Sequence, residues 1–187
     1  MNDKELTIWI PVWGAKHFGM LTKWTLPSLM ANRNLPACNF ERVFVEVCGL
    51  SSETDQACEV VSKGLHGMPV EIETLSSPEV QDPIHGLRAT ILACRRRGTR
   101  LLIAMPDTVY GNGSIANMVN YARGKPVTIG SAHLRVNEEK FWSHFNENVW
   151  EDNRTLVKAA FDCGAADVCE TAKDKDRDRG NRLDADQ

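Results

Sequence analysis

Arg100-Leu-Leu-Ile-Ala-Met-Pro-Asp107 decides how the rest of the chain is read. Residues 100–105 form a short, nearly continuous apolar run, the pattern of a strand buried on both faces, and the run stops at Pro106-Asp107. Asp107 is therefore expected at the carboxyl end of a central strand. Gly111-Asn-Gly-Ser114 then turns the chain, residues 115–122 read as a helix, and Pro126-Val-Thr-Ile-Gly130 has the composition of a further strand. In open α/β sheets ligands bind outside the carboxyl ends of the strands, which makes Asp107 a candidate for chemistry. A carboxylate in that position is equally the ordinary cap of a following helix.

Working outward, the same alternation extends upstream. Leu6–Trp13 is β-rich, with Pro11 near its end and Trp13 in the loop it empties into. Apolar residues recur at helical spacing from Phe18 to Met30, interrupted by Pro27. Phe40–Cys48 reads as the second strand, with a helix from the 51–55 turn to Val61. Val70–Leu75 alternates apolar and acidic residues and suits a strand near an edge. Asp82-Pro83 opens a helix reaching Arg97, with Gly98 just beyond it. Five βα units imply an α/β fold with a mainly parallel, Rossmann-like sheet and helices on both faces. Past Ser131 the regularity fades into shorter helices over 138–145 and 152–160. The expected organisation is one domain over 1–165 and a charged, disordered tail over 166–187, whose composition from Lys173 leaves almost nothing to bury.

Composition narrows the function. The 187 residues carry a formal net charge of −3, so no bulk attraction to nucleic acid exists, and Arg95-Arg96-Arg97 suits the solvated end of a helix. The six cysteines show neither a C-x-x-C pair nor a histidine at zinc spacing and read as reduced thiols of a cytoplasmic protein. No signal peptide or membrane span is apparent. Neither G-x-S-x-G nor G-x-G-x-x-G follows a strand, which removes serine-hydrolase and dinucleotide-dehydrogenase readings.

In order, Ile10-Pro11-Val12-Trp13, Pro27-Ser28-Leu29, Val45-Glu46-Val47 with Ser51–Asp55, Gly86-Leu87-Arg88, and Ile103–Val109 resemble the donor-binding half of GT-A-type glycosyltransferases. The resemblance implies transfer of a sugar from a nucleotide-diphosphate donor to an unidentified acceptor hydroxyl. It also implies a divalent ion, Mn²⁺ or Mg²⁺, held against the diphosphate by an Asp-x-Asp pair. Here Val109 takes the second aspartate's place, leaving Asp107 with His133 as a candidate added ligand.

Pro11, Trp13, Glu46, Asp82 and Arg88 fall where the resemblance places donor contacts. Trp13 would stack on the base or simply pack, and Glu46 would accept from ribose or base donors or face solvent. Arg88 would pair with phosphate or be solvated, and Asp82 would cap its helix. Glu151-Asp152 matches the pair that inverting members use as general base, and Asp152 equally suits a helix cap. The chain is short for such an enzyme. A non-catalytic nucleotide-binding or interaction module, or a piece working with a partner subunit or as an oligomer, is the alternative. A nucleotidyltransferase would need a glycine-rich basic loop where Trp13–His17 has one glycine and one lysine.

Overall fold

A computed structural model describes residues 2–49, 52–74, 83–129, 136–137, 140–141 and 152–163. The chain divides into two compact units, Met1–Thr128 and Ile129–Gln187.

The first unit is built on four parallel strands, β1 (Glu5–Val12), β2 (Arg42–Gly49), β3 (Val70–Thr74) and β4 (Arg100–Ile103), in the order β3-β2-β1-β4. Strand parity sorts the side chains onto two faces. Ile8, Ile10, Val12, Val43, Val45 and Val47 share one face and are completely buried. They pack against α1 (Gly14–Met20), α2 (Leu26–Leu29), α3 (Thr54–Gly64) and α5 (Ser114–Ala122) through Leu26, Leu29, Ala57, Val61 and Ile115. Burying one such aliphatic side chain contributes about 1.5–3 kcal/mol, so this face carries most of the core.

The opposite face presents Thr7, Trp9, Phe44, Glu46 and Cys48 to α4 (Pro83–Arg97). Gly86 permits this close crossing, because a Cβ there would lie 2.4 Å from the Cys48 sulfur. The α/β reading with helices on both faces thus holds.

Between α1 and α2 the helix widens into a π segment, Leu21–Thr25, closed by the Leu26 amide on the Leu21 carbonyl. Pro27 lies just downstream and has no N–H to continue the ordinary ladder, so the expected interruption becomes a bulge and not a break. Pro11 is tolerated in a central strand for a related reason. The Ala104 amide donates to the Trp9 carbonyl at 2.9 Å, so Trp9, and by alternation Pro11, turns its backbone groups toward β4. That strand has already ended at Ile103, opposite Trp9, so no ladder bond is lost at Pro11.

Two expectations need correction. β4 lies at the end of the described sheet and not in its centre. It is not buried on both faces, since Leu101 and Leu102 are half-buried and Ile103 is 45 % exposed. The strand expected over Pro126–Gly130 is irregular and largely exposed over 126–129, with Gly130 outside the described residues. The acidic alternation of β3 does mark an edge position.

In the second unit, α6 (Asn153–Asp162) matches the helix expected there, and the Asn137 amide donates to the Cys163 carbonyl at 3.0 Å. The tail over 166–187 and most of 138–145 lie outside the described residues. No helix among the described residues is long and apolar enough to cross a membrane.

Candidate functional site

Strand order reverses at β1. From β1 the chain steps to β2 and β3 on one side, then returns through α4 to β4 on the other, which creates a switch point between β1 and β4.

Past β4, Met105–Thr108 forms a tight turn closed by the Thr108 amide on the Met105 carbonyl at 3.2 Å, and Asp107 is at its tip. The loop is held from beneath by buried polar side chains. The Thr25 hydroxyl lies 2.7 Å from the Pro106 carbonyl, 2.9 Å from that of Thr108 and 3.3 Å from that of Met105, sharing its single proton among them. The Ser28 hydroxyl accepts from the Tyr110 amide at 3.0 Å. Asn34 donates to the carbonyls of Ser28 at 2.7 Å and Gly111 at 3.1 Å, and its Oδ1 accepts from the Ile115 amide at 3.1 Å.

Asp107 itself is exposed, and no hydrogen bond or ion pair engages its carboxylate among the described residues. It does not cap α5. The N-cap is Gly113, at φ +86°, and Asn34 satisfies the Ile115 amide from across the loop. The capping alternative for Asp107 is therefore overturned. Buried Tyr110 lies close enough for its phenol to be pushed well above its ordinary range, first by burial and then by the Asp107 charge.

Trp13 follows β1 and is the N-cap residue of α1. Its carbonyl lies 2.8 Å from His17 Nδ1, and the two rings are 4.4 Å apart between centroids at an interplanar angle of 43°. A carbonyl only accepts, so His17 Nδ1 carries the hydrogen of this bond. Glu53 donates no cap to its own helix. It accepts from the Gly14 amide at 2.9 Å, so a carboxylate already sits at the start of α1.

Glu46 is neither at the rim nor facing solvent, which corrects both readings of it. It is 1 % exposed in the middle of β2, beneath α4. Arg97 Nη1 reaches its Oε1 at 2.6 Å, and the Thr90 hydroxyl donates to its Oε2 at 3.0 Å. Arg97 also holds Glu73 at 2.6 Å and lies over the Phe44 ring, 4.3 Å from its centroid. Burial alone would lower the Arg97 pKa, but its bonds to Glu46 and Glu73 outweigh that and raise it.

Pro11 is buried within β1, whereas Arg88 is exposed on α4 with no bond or ion pair among the described residues. Asp152 caps α6, accepting from the Arg154 amide at 3.0 Å and the Thr155 hydroxyl at 2.5 Å. These bonds, Thr155's first, hold its carboxyl below the usual range, which weakens it as a proton acceptor. Asp82, His133 and Glu151 lie outside the described residues.

The structure brings Trp13 to His17 and Gly14 to Glu53, but no hydrogen bond, ion pair or ring contact among the described residues joins Asp107 to Trp13, Arg88 or Glu46. β4 ends level with Trp9, so the chain leaves the sheet before reaching the end of β1. Among the described residues no three His, Cys, Asp or Glu side chains gather as a metal site. Sequence reading missed Thr25, Ser28 and Asn34 as supports of the loop; hydroxyls among the apolar positions of a helix were an available signal for Thr25 and Ser28, and none marked Asn34. Comparison with family models, with curated proteins and with solved structures gives no match to this chain.

Proposed function

We propose that this chain is a GT-A-like domain that binds a nucleotide-diphosphate sugar near the β1–β4 switch point and donates its sugar to an acceptor hydroxyl. One observation carries the reading: Asp107 is an exposed carboxylate, uncommitted among the described residues, on a loop that buried Thr25, Ser28 and Asn34 hold in place. The bonds from beneath order the loop backbone while the carboxylate above it keeps its hydration, so it is available to a ligand outside a strand end.

A hard divalent ion, Mn²⁺ or Mg²⁺, suits one carboxylate supplemented by phosphate oxygens and water, and would neutralise the diphosphate. Asp107 is the described residue that fits this role. Trp13 offers a face for the base, and the exposed Arg88 guanidinium suits a phosphate. Five described cysteines are free thiols, in keeping with our assignment of the protein to the cytoplasm.

The capping of Asp152 favours a second reading, in which the domain binds the nucleotide without turnover or works with a partner subunit. Calorimetric titration with UDP, GDP, ADP and CDP, with and without Mn²⁺, tests the binding common to both. Saturable, Mn²⁺-dependent binding of one of them is expected; heat from none of the four overturns the proposal. Release of free nucleoside diphosphate from the corresponding sugar donor separates turnover from binding alone.

A further inference from the structure

A second concavity lies at the other end of the sheet and belongs to no part of the site above. It measures about 550 Å³ and is lined by Asp3, Lys4, Cys38, Asn39, Asn120 and Arg123, among others. This volume falls within the range of small-molecule sites.

Three elements meet there: the segment leading into β1, the end of the short helical turn Leu35–Cys38, and the C-terminus of α5. Asn39 is the one non-glycine residue at positive φ among the described residues, at φ +53°, so the chain bends sharply at the cavity wall. Asparagine tolerates that conformation better than most side chains.

The charges around the cavity do not cancel. Arg100 Nε and Nη2 hold Asp3 Oδ1 at 3.0 and 2.6 Å, and the Gly124 amide donates to Oδ2 at 3.1 Å, so Asp3 is fully engaged. Lys4 is paired with Glu41. Arg123 has no hydrogen bond or ion pair from its guanidinium among the described residues, yet its charge is felt by both Asp3 and Cys38. With Asp3 held by Arg100 and Lys4 by Glu41, Arg123 is the cation left over in the lining, which Asn39 and Asn120 share. Burial pushes the Cys38 thiol up to about 11 despite Arg123, so the cysteine stays protonated, its S–H donated to the Asn34 carbonyl at 3.3 Å, and is not a nucleophile.

We propose that this cavity binds a small metabolite bearing a carboxylate or phosphate group, with the anion on the Arg123 guanidinium and the polar body against Asn39 and Asn120. Guanidinium pairs with either oxyanion through two parallel N–H···O bonds, and side-chain amides supply both donors and acceptors for the remainder. This inference is independent of the nucleotide-binding proposal, since none of Asn39, Asn120 and Arg123 is placed in that site.

The test is a ¹⁵N chemical-shift titration of the full chain with inorganic phosphate and, separately, with succinate, holding ionic strength constant with NaCl. Saturable shifts of the Asn39, Asn120 and Gly124 amides are expected with at least one probe, and the probe that saturates names the preferred anion. Arg123→Gln should weaken that binding at least tenfold, and Arg123→Lys should retain part of it because the charge survives and the fork does not. Arg123 is exposed, so both variants should otherwise keep the parent spectrum. Shifts that rise linearly with either probe, or a binding curve unchanged in Arg123→Gln, overturn the proposal.

Discussion

Beneath α4, the acid of β2 is enclosed; beyond β4, the acid of the next loop stands open. Glu46 is 1 % exposed and shares its oxygens between Arg97 and Thr90, while Asp107 is exposed and unpaired among the described residues, on a loop whose own backbone is thoroughly bonded. A carboxylate taken out of water must find a cation and hydrogen bonds, or the helix covering it could not close. Asp107 remains hydrated and faces no such demand. The loop beneath it is nevertheless more constrained than a surface turn needs. Acids at similar distances from a strand end can thus serve the fold in one place and remain available to a ligand in another.

The largest break in that contrast should come from Arg97. Arg97→Leu removes the partner of a carboxylate that stays buried, and should cost about 3–5 kcal/mol in urea unfolding. The double variant Glu46→Leu/Arg97→Leu should recover most of the loss, since the orphaned charge goes as well. A loss below about 1 kcal/mol in the single variant would mean that water reaches Glu46.

Next in size is Thr25, which belongs to the opposite region. Thr25→Val keeps the shape of the side chain but strips the hydroxyl proton from carbonyls of Met105, Pro106 and Thr108, and should cost about 1–3 kcal/mol. If the loop positions Asp107 for a ligand, the same variant should weaken nucleoside diphosphate binding more than Arg97→Leu does. Equal weakening would show that the brace is purely structural.

How far the sequence reveals these regions follows from the range of the forces involved. The strands and helices of the first unit are legible because their apolar periodicity is local, and the edge position of β3 is legible in its alternating glutamates. Glu46 is not legible, because its surroundings depend on Arg97, 51 residues away. Nor is the exposure of β4, whose apolar run reads as interior although Ile103 is not enclosed. Asp107 is legible as a position but not as a circumstance. Its lack of a capping role follows only once Gly113 and Asn34 are seen to begin α5. Asp152 shows the converse: its cap was readable from the sequence, and its geometry agrees.

Asp152 gives a smaller effect and a pH signature. Its folded pKa is depressed by Thr155 and the Arg154 amide, so its contribution is fully present above the unfolded carboxylate value and disappears as pH falls through the depressed folded one. Asp152→Ala should fray the first turn of α6 at neutral pH, read by amide exchange at Arg154, while Asp152→Asn should preserve the turn and flatten its acid dependence. An α6 as stable in Asp152→Ala as in the parent would free this carboxylate for another role.

The smallest expected change in stability is the sharpest test of the contrast. Asp107→Asn replaces an exposed, unpaired carboxylate with a side chain of the same shape, so unfolding free energy should move by no more than about 0.5 kcal/mol. Binding should respond quite differently. If Asp107 holds a divalent ion against a diphosphate, Asp107→Asn removes the charge that attracts the metal, and the Mn²⁺ dependence of nucleotide binding should vanish while the unliganded fold is unchanged. Nucleotide binding that keeps its full Mn²⁺ dependence in Asp107→Asn would exclude this residue as the ligand. Binding that lacks metal dependence even in the parent would keep the nucleotide pocket and move the neutralising role to a cation such as Arg88. In that case Arg88→Gln, not Asp107→Asn, should abolish binding, and the open carboxylate after β4 would no longer distinguish a ligand site from a well-braced surface loop.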